Sequence, residues 1–285
     1  MVDDLSTGDP ERVPPAAALE VLDITDSDSV QRVLNAIRPA AIVHLAAQSS
    51  VVRSVTNPRR DCEANVLGTL NIVEAAKRHR APVVFTSTGG ALYGNDAPIP
   101  THEDAAPAPI SPYGASKWAA EAYVLTWSQA EGAPHAVCRL GNVYGPRQSP
   151  HGEAGVVAIL SYHLWCGQRP TLFGFGQPTR DYVHVQDVAR ALCASIGTPG
   201  VFNIATGVKT DVMKVFQILQ HAAGTTLDPI LAPLRPRELE QSCMDPTRAR
   251  RELGWQATIR LEDGLSSTYQ ALVDEFEAGT ASAVV

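Results

Sequence analysis

The chain has 285 residues, 45% of them apolar and 19% charged, with a formal net charge of -7. That length suits one large domain, or an α/β domain with a smaller second lobe. The acidic balance excludes a general nucleic-acid or membrane-surface binder, whose electrostatic footprint is basic, while leaving room for anionic ligands held by a few local arginines.

Strand-like and helix-like patterns alternate from the start. Leu19 to Leu22 reads as a strand leading into Asp23. Val30, Val33, Leu34 and Ile37 fall on one face of a helix, with Asp26 and Ser27 as caps and Pro39 as its end. Ala41 to Leu45 reads as a strand buried on both sides. A helix is expected from about Arg60 to Arg78, a short buried strand over Pro82–Phe85, and a proline-rich loop from Pro98 to Pro112. Another helix runs from near Tyr113 to about Gln129, and His135–Leu140 is a strand. Further on, Asp187–Ile196 reads as helix, Val201–Ile204 as strand, and Val212, Val215, Phe216 and Leu219 mark an amphipathic helix. Alternating elements imply right-handed βαβ units in a doubly wound parallel sheet, with ligands at the carboxyl ends of the strands. The segments from about Asn142 to Thr179, and from about Leu227 onward, break the alternation and suggest a smaller α+β lobe. The expected division is 1–141 with 181–226 for the sheet domain, and 142–180 with 227–285 for the second lobe.

Five cysteines, Cys62, Cys138, Cys166, Cys193 and Cys243, contain no CxxC pair. They read as small buried side chains in a reducing, cytoplasmic setting, with no disulfide framework and no metal site. No signal peptide is read, and no apolar run is long enough to span a membrane.

Tyr113 and Lys117 stand four residues apart at the start of a helix, a spacing that puts both on one face. A lysine beside a tyrosine favours the phenolate, which then serves as a general base on a hydroxyl. Upstream, Ser87 and Thr88 follow a strand and supply hydroxyls. His44 reads as a satisfied strand histidine. Asn65 interrupts the apolar pattern of its helix, which points to a polar task.

The ordered set of motifs resembles the extended short-chain dehydrogenase/reductase family, and within it the UDP-glucose 4-epimerase-like nucleotide-sugar enzymes. It comprises Val2–Gly8, Asp23-Ile24, His44–Ala47, Asn65-x-x-Gly68-Thr69, Ser87–Gly90, Tyr113-x-x-x-Lys117, Asn142–Arg147, Arg180–Val185 with Asp187, and Glu252–Trp255. The resemblance covers almost the whole chain. It implies a Rossmann-like fold and epimerisation at C4 of a UDP-sugar through a 4-keto intermediate, with NAD as a tightly held cofactor and a homodimer formed through the Asn65 and Tyr113 helices. It makes Tyr113 the base, Thr88 or Ser87 the partner of the reacting hydroxyl, and Lys117 the holder of the nicotinamide ribose. Asp3, Asp4, Asp23, Ile24, Leu45, Ala46, Ala47 and Asn65 become cofactor contacts. A carboxylate at Asp3 favours NAD over the 2′-phosphorylated cofactor. Asn142, Arg180, Tyr182, Arg235 and Glu238 become the substrate set, the two arginines suiting a diphosphate. Arg235–Glu238 departs from the family by carrying arginine where glycine usually precedes the acid.

The family also begins with a strand and a glycine-rich turn that holds the NAD pyrophosphate, roughly 30 residues in all. This first βα unit is expected to be missing, with poor NAD binding as the consequence. Two other readings stay open. A 4,6-dehydratase ranks below the epimerase because Gly89-Gly90 follows Thr88 where dehydratases carry Asp-Glu, and a UDP-uronate-processing relative is a further variant ranked lower still. A non-catalytic remnant that only binds a ligand or partner is the alternative of another class.

Overall fold

The computed structural model describes residues 1–150, 155–235 and 238–282, with side chains placed up to residue 278. The chain forms two compact units: one of Met1–Leu92, Pro109–Cys138 and Ser195–Val201, the other of Tyr93–Ala108, Arg139–Ala194 and Phe202–Val285.

The first unit opens with strands β1 (Val2–Asp3) and β2 (Glu20–Val21), paired in parallel. Helix α1 (Ser27–Ile37) follows, started by the Asp26 carboxylate, which accepts from the Ser29 amide at 3.1 Å. It ends at Arg38, whose φ of 50° is the left-handed turn that closes many helices. Its apolar stripe, Val30 and Leu34, packs with Ile24, Ile72 and Ala75.

Strand β3 (Ile42–His44) comes next. Its expected burial on both faces is not found: Val43 is 37% exposed, and Leu45 just beyond it is 60% exposed. A continuous apolar run cannot distinguish a two-sided strand from one whose second face is open.

The helix expected from about Arg60 to Arg78 is built in pieces. After α2 (Val51–Thr56), Asn57 caps α3 (Pro58–Cys62), a π-helical turn occupies Glu63–Leu67, and α4 (Gly68–His79) continues. The wider π-turn changes which side chains face inward, and it carries Asn65, 1% exposed.

Strand β4 (Val83–Thr88) is parallel to β3, and the 20-residue α5 (Pro112–Glu131) covers it. Phe85, Val73, Ala120, Val124 and Val137 form the core there. With β5 (Ala136–Leu140) and the later β10 (Gly200–Ile204), the four-stranded sheet has the order β10-β5-β4-β3, while β1 and β2 form a separate pair.

The second unit contains β6 (Asn142–Tyr144), α6 (Val156–Trp165), β7 (Thr171–Phe173), β8 (Thr179–Arg180), β9 (Tyr182–His184) and α7 (Val185–Ala194). After β10 it adds β11 (Thr210–Asp211), α8 (Val212–Ala222), β12 (Ile230–Ala232), α9 (Thr247–Leu253) and α10 (Leu261–Ser282). β6 pairs with β9 and β7 with β12 in parallel, β8 with β11 antiparallel. Its core joins Leu160, Leu172, Val215, Phe216, Leu219 and Leu265. This packing draws the unit boundary differently from the expected one. Only Ser195–Val201 of the 181–226 stretch belongs with the first unit, because α8 buries its apolar face among α6 and α10.

Cys138 and Cys243 are buried as expected, but Cys62 and Cys193 are exposed and Cys166 is half-buried, each on a helix face or end that the core does not reach. Among the described residues no helix is long and apolar enough to cross a membrane.

Candidate active site

The start of α5 is set by local chemistry. Ser111 is the N-cap, its hydroxyl accepting from the Gly114 amide at 3.2 Å, and Pro112 fills the first helical position. Tyr113 follows in the first turn. Position 114 has to be glycine, because a side chain there would run into the Ala91 carbonyl. That close approach brings the turn after β4 against the first turn of α5.

The result is a pairing of hydroxyls. Thr88 ends β4, its oxygen accepts from the Ala91 amide at 3.2 Å, and its hydroxyl neighbours that of Tyr113, where it favours the phenolate. The adjacent Ser87 hydroxyl is buried and has no partner among the described residues. Of the two candidates, Thr88 is therefore the one that acts on Tyr113.

Lys117, one turn further along α5, is 3% exposed, and its ammonium lies 4.2 Å from the centre of the Phe85 ring. Burial brings it down to about 7, opposed by the nearby Glu121 and Asp61 carboxylates. The expectation that Lys117 lowers the Tyr113 hydroxyl is corrected here. Burial pushes Tyr113 up to about 12, the Thr88 hydroxyl works against it, and Asp61 adds to the rise. Desolvation of the phenolate outweighs any attraction from the lysine.

Behind the pair lies a polar cluster. The Asn65 amide donates to the Gln48 carbonyl at 2.9 Å, to Asp61 Oδ1 at 3.2 Å and to the Ser116 hydroxyl at 3.0 Å, while its oxygen accepts from the Gln48 amide at 2.8 Å. Asn65, expected at the cofactor, thus has its amide occupied by protein. Gln48 Nε2 also donates to Asp61 Oδ1 at 2.7 Å, and the Ser116 hydroxyl to the Tyr113 carbonyl at 3.0 Å. Gln48, Asp61 and Ser116 were missed by sequence reasoning. Only Ser116 carried a signal, lying between Tyr113 and Lys117. His44 is a satisfied strand histidine as expected, with Nε2 3.0 Å from the Thr69 hydroxyl. Thr69 spends its own proton on the Asn65 carbonyl, so His44 is the donor and carries its proton on Nε2.

The remaining cofactor candidates occupy the strand ends of the same unit. Asp3 Oδ1 accepts from the Leu5 amide at 2.8 Å, and its other oxygen has no protein partner among the described residues. Asp4 closes onto the Ser6 amide and hydroxyl. Asp23 accepts from the Thr25 amide at 2.9 Å and pairs with Arg60 at 2.8 Å. Despite some burial, its hydrogen bonds and the arginine hold its carboxyl below the usual range. Ile24 packs inward, its carbonyl accepting from Asn71. Leu45 and Ala47 are exposed, whereas Ala46 turns toward the α1 core.

The substrate candidates all lie in the second unit. Register places Asn142 opposite Tyr182. The Tyr182 hydroxyl is buried with no partner, and burial raises it to about 12. Arg180 is largely buried, its guanidinium 3.9 Å from Glu238 Oε1. The other Glu238 oxygen is buried and has no partner among the described residues. Arg235 is exposed and stacks on Phe173 at 3.8 Å. The turn between Arg235 and Glu238 includes Pro236 and Arg237, which lie outside the described residues. Asp187, fully buried, accepts from the Thr258 and Ile259 amides, and its carbonyl accepts from Trp255 Nε1 at 2.9 Å. Two motifs far apart in sequence are thereby joined.

The chain is similar to known nucleotide-sugar enzymes. Residues 2–268 match the family model described as GDP-mannose 4,6 dehydratase. A UDP-glucose 4-epimerase of Mycolicibacterium smegmatis is 40% identical over 277 residues, covering 94% of this chain and 88% of the relative. The crystal structure of the Thermotoga maritima UDP-glucose 4-epimerase with UDP-glucose superposes with a TM-score of 0.94 at 39% identity, covering 96% of this chain and 90% of that one. That of the Thermus thermophilus UDP-glucose 4-epimerase complexed with NAD gives 0.88 at 38% identity, covering 95% and 89%. By its motifs, its fold and these likenesses, the chain belongs to the NAD-dependent epimerase/dehydratase family of nucleotide-sugar enzymes.

Proposed function

We propose that the chain catalyses NAD-dependent epimerisation at C4 of a UDP-sugar of the UDP-glucose/UDP-galactose type. The observation that carries this reading is the placing of the Thr88 hydroxyl beside Tyr113 at the head of a helix whose next turn bears the buried Lys117. A sugar 4-hydroxyl placed beside this pair gives its proton to the Tyr113 oxygen while Thr88 orients it. NAD held by Lys117 and Asp3 would supply the hydride-transfer chemistry at C4. Tyr113 then returns the proton to O4, so the cycle closes with no net redox change. Lys117 is buried and Tyr113 half-buried, which limits the access of water to the proton transfer.

The residues present fit the cofactor at two places. Asp3 keeps a carboxylate oxygen free for a ribose hydroxyl, and the exposed Leu45 and Ala47 leave a small apolar strand end against which a flat ring can lie. Lys117 is the group to hold the nicotinamide ribose. In the second unit, Arg180 supplies the positive charge for the diphosphate, with Asn142, Tyr182, Arg235 and Glu238 completing the nucleotide-sugar site. Gly89-Gly90 after Thr88 leaves the position next to the reacting hydroxyl without the acid that dehydration requires, which favours epimerisation over that reading. Exposed Leu67, Trp118 and Tyr123 on the Asn65 and Tyr113 helices support a homodimer through that face, and the cysteine usage supports a cytoplasmic setting.

Incubation with UDP-glucose, UDP-galactose and their N-acetylated and uronate counterparts, without added NAD, tests the reading. Interconversion of one pair is expected. A protein with bound NAD that converts none of them would overturn it.

A further inference from the structure

The buried carboxylate of Asp61 has no part in the chemistry above, yet it lies at the base of the reacting pair. It is 1% exposed. One oxygen is doubly engaged, by Gln48 at 2.7 Å and Asn65 at 3.2 Å, and the other is buried with no partner. Leaving a carboxylate oxygen dry and unpaired is costly, so a compensating interaction is expected. From Asp61 a chain of hydrogen bonds runs through Asn65 to the Ser116 hydroxyl and on to the Tyr113 carbonyl at 3.0 Å. The π-turn at Glu63–Leu67 carries the middle link, Asn65.

We propose that Asp61 is a positioning residue for Tyr113 and Lys117: through Asn65 and Ser116 it anchors the first turn of the helix that bears both side chains. The inference rests on the reading of Tyr113 and Lys117 as the reacting pair. The electrostatics agree with it, since Asp61 favours the charged form of Lys117 and disfavours the phenolate of Tyr113. The other groups facing the pair are Glu121, which acts on Lys117 in the same direction, His44, which is itself neutral and held by Thr69, the Phe85 ring, and the Thr88 hydroxyl. Asp61 is the group common to both members.

The discriminating variant is Asp61→Asn, which keeps the acceptor used by Gln48 and Asn65 and removes only the charge. Lysine labelled at Cε and followed by NMR, with Lys117→Met to assign the resonance, reads the Lys117 titration directly. In the wild-type protein it is expected near 7. Asp61→Asn should move it lower by roughly one pH unit, and Asp61→Glu should restore it. Loss of the same charge lowers Tyr113 as well, so both limbs of the kcat/KM profile should shift to lower pH together, with KM little changed. Ser116→Ala cuts the anchor without touching charge, and should lower kcat several-fold at an unmoved pH profile. An Asp61→Asn protein whose Lys117 titrates as in the wild type overturns the charge role. Ser116→Ala with full kcat overturns the anchor, and that test stands even if Asp61→Asn does not fold. The NMR titration needs no turnover, so it separates failure of this inference from failure of the epimerase reading, which Tyr113→Phe tests by itself.

Discussion

The Thr88 hydroxyl acts on that of Tyr113, while the hydroxyl of adjacent Ser87 is buried without a partner among the described residues. Two hydroxyls that are equivalent in the sequence are thus separated by one step along a strand, where successive side chains point to opposite faces. Thr88→Val should lower kcat by about 10²–10³ with little change in KM, and Thr88→Ser should retain most of the activity. Ser87→Ala should leave kcat near the wild-type value. Steady-state kinetics on the UDP-sugar pair check all three, and a greater loss in Ser87→Ala than in Thr88→Val would reverse the assignment.

His44 gives the fold an acid-sensitive point. Burial holds its imidazole neutral, bringing it down to about 3 from the usual 6.5, with the Lys117 charge adding to the effect. The unfolded chain therefore binds a proton between those values that the native state refuses. Stability from this group is full above pH 6.5 and is lost as the pH falls through that window. His44→Phe should cost about 1 kcal/mol at pH 7 through the lost bond to Thr69. It should also remove the acid slope of about 1.4 kcal/mol per pH unit, so that the two stability curves cross at about pH 5.5. Urea unfolding across this range is the measurement. Parallel curves would mean that His44 already carries a proton in the native state.

What the sequence makes legible here is local. Asp26 as a cap, the start of α5 beside Pro112, and the alternation of strand and helix all follow from neighbours within a few residues. What it hides is pairing across distance. Asn203 is fully buried, and its amide donates to Glu103 Oε1 at 2.8 Å across 100 residues, while its side-chain oxygen accepts from Tyr93, which also takes a hydrogen bond from Arg139. Nothing near residue 203 announces that network. The π-turn was equally hidden, because one additional residue per turn leaves no compositional mark. The open face of β3 was missed because Val43 and Leu45 look alike whether covered or bare. For the site, Tyr113, Lys117 and Thr88 came from an ordered set of motifs, whereas Asp61 and Gln48 emerge only once the helices are folded around Asn65.

Asp187 ties the turn after Trp255 to α7. Its fully buried carboxylate accepts from the Thr258 amide at 3.2 Å and the Ile259 amide at 3.1 Å, and pairs with the half-exposed Arg190. Asp187→Ala leaves the partly buried Thr258 and Ile259 amides without their acceptor and should destabilise the protein by about 2 kcal/mol. Arg190→Ala should cost less than about 1 kcal/mol, because its side chain is open to solvent. Urea midpoints of the two variants test the order. Equal losses would place the weight on the ion pair instead of the amides.

Asp3 sets the cofactor preference in the proposed reading. One of its oxygens is committed to the Leu5 amide, which fixes the carboxylate at the end of β1 and leaves the other free to accept from a ribose hydroxyl. Gly8 permits this arrangement, since a side chain at that position would press against the same carboxylate at 2.7 Å. A charge-assisted hydrogen bond is worth about 1.5–3 kcal/mol, so Asp3→Ala should weaken NAD binding by roughly ten-fold or more. The same change removes a negative charge that repels a 2′-phosphate, so the ratio of NAD to NADP affinity should fall by more than NAD affinity alone. Binding of both dinucleotides, measured by calorimetry on wild type and variant, gives the two numbers. A variant that loses NAD and NADP affinity equally would show that Asp3 supports the turn through Leu5 and does not read the ribose.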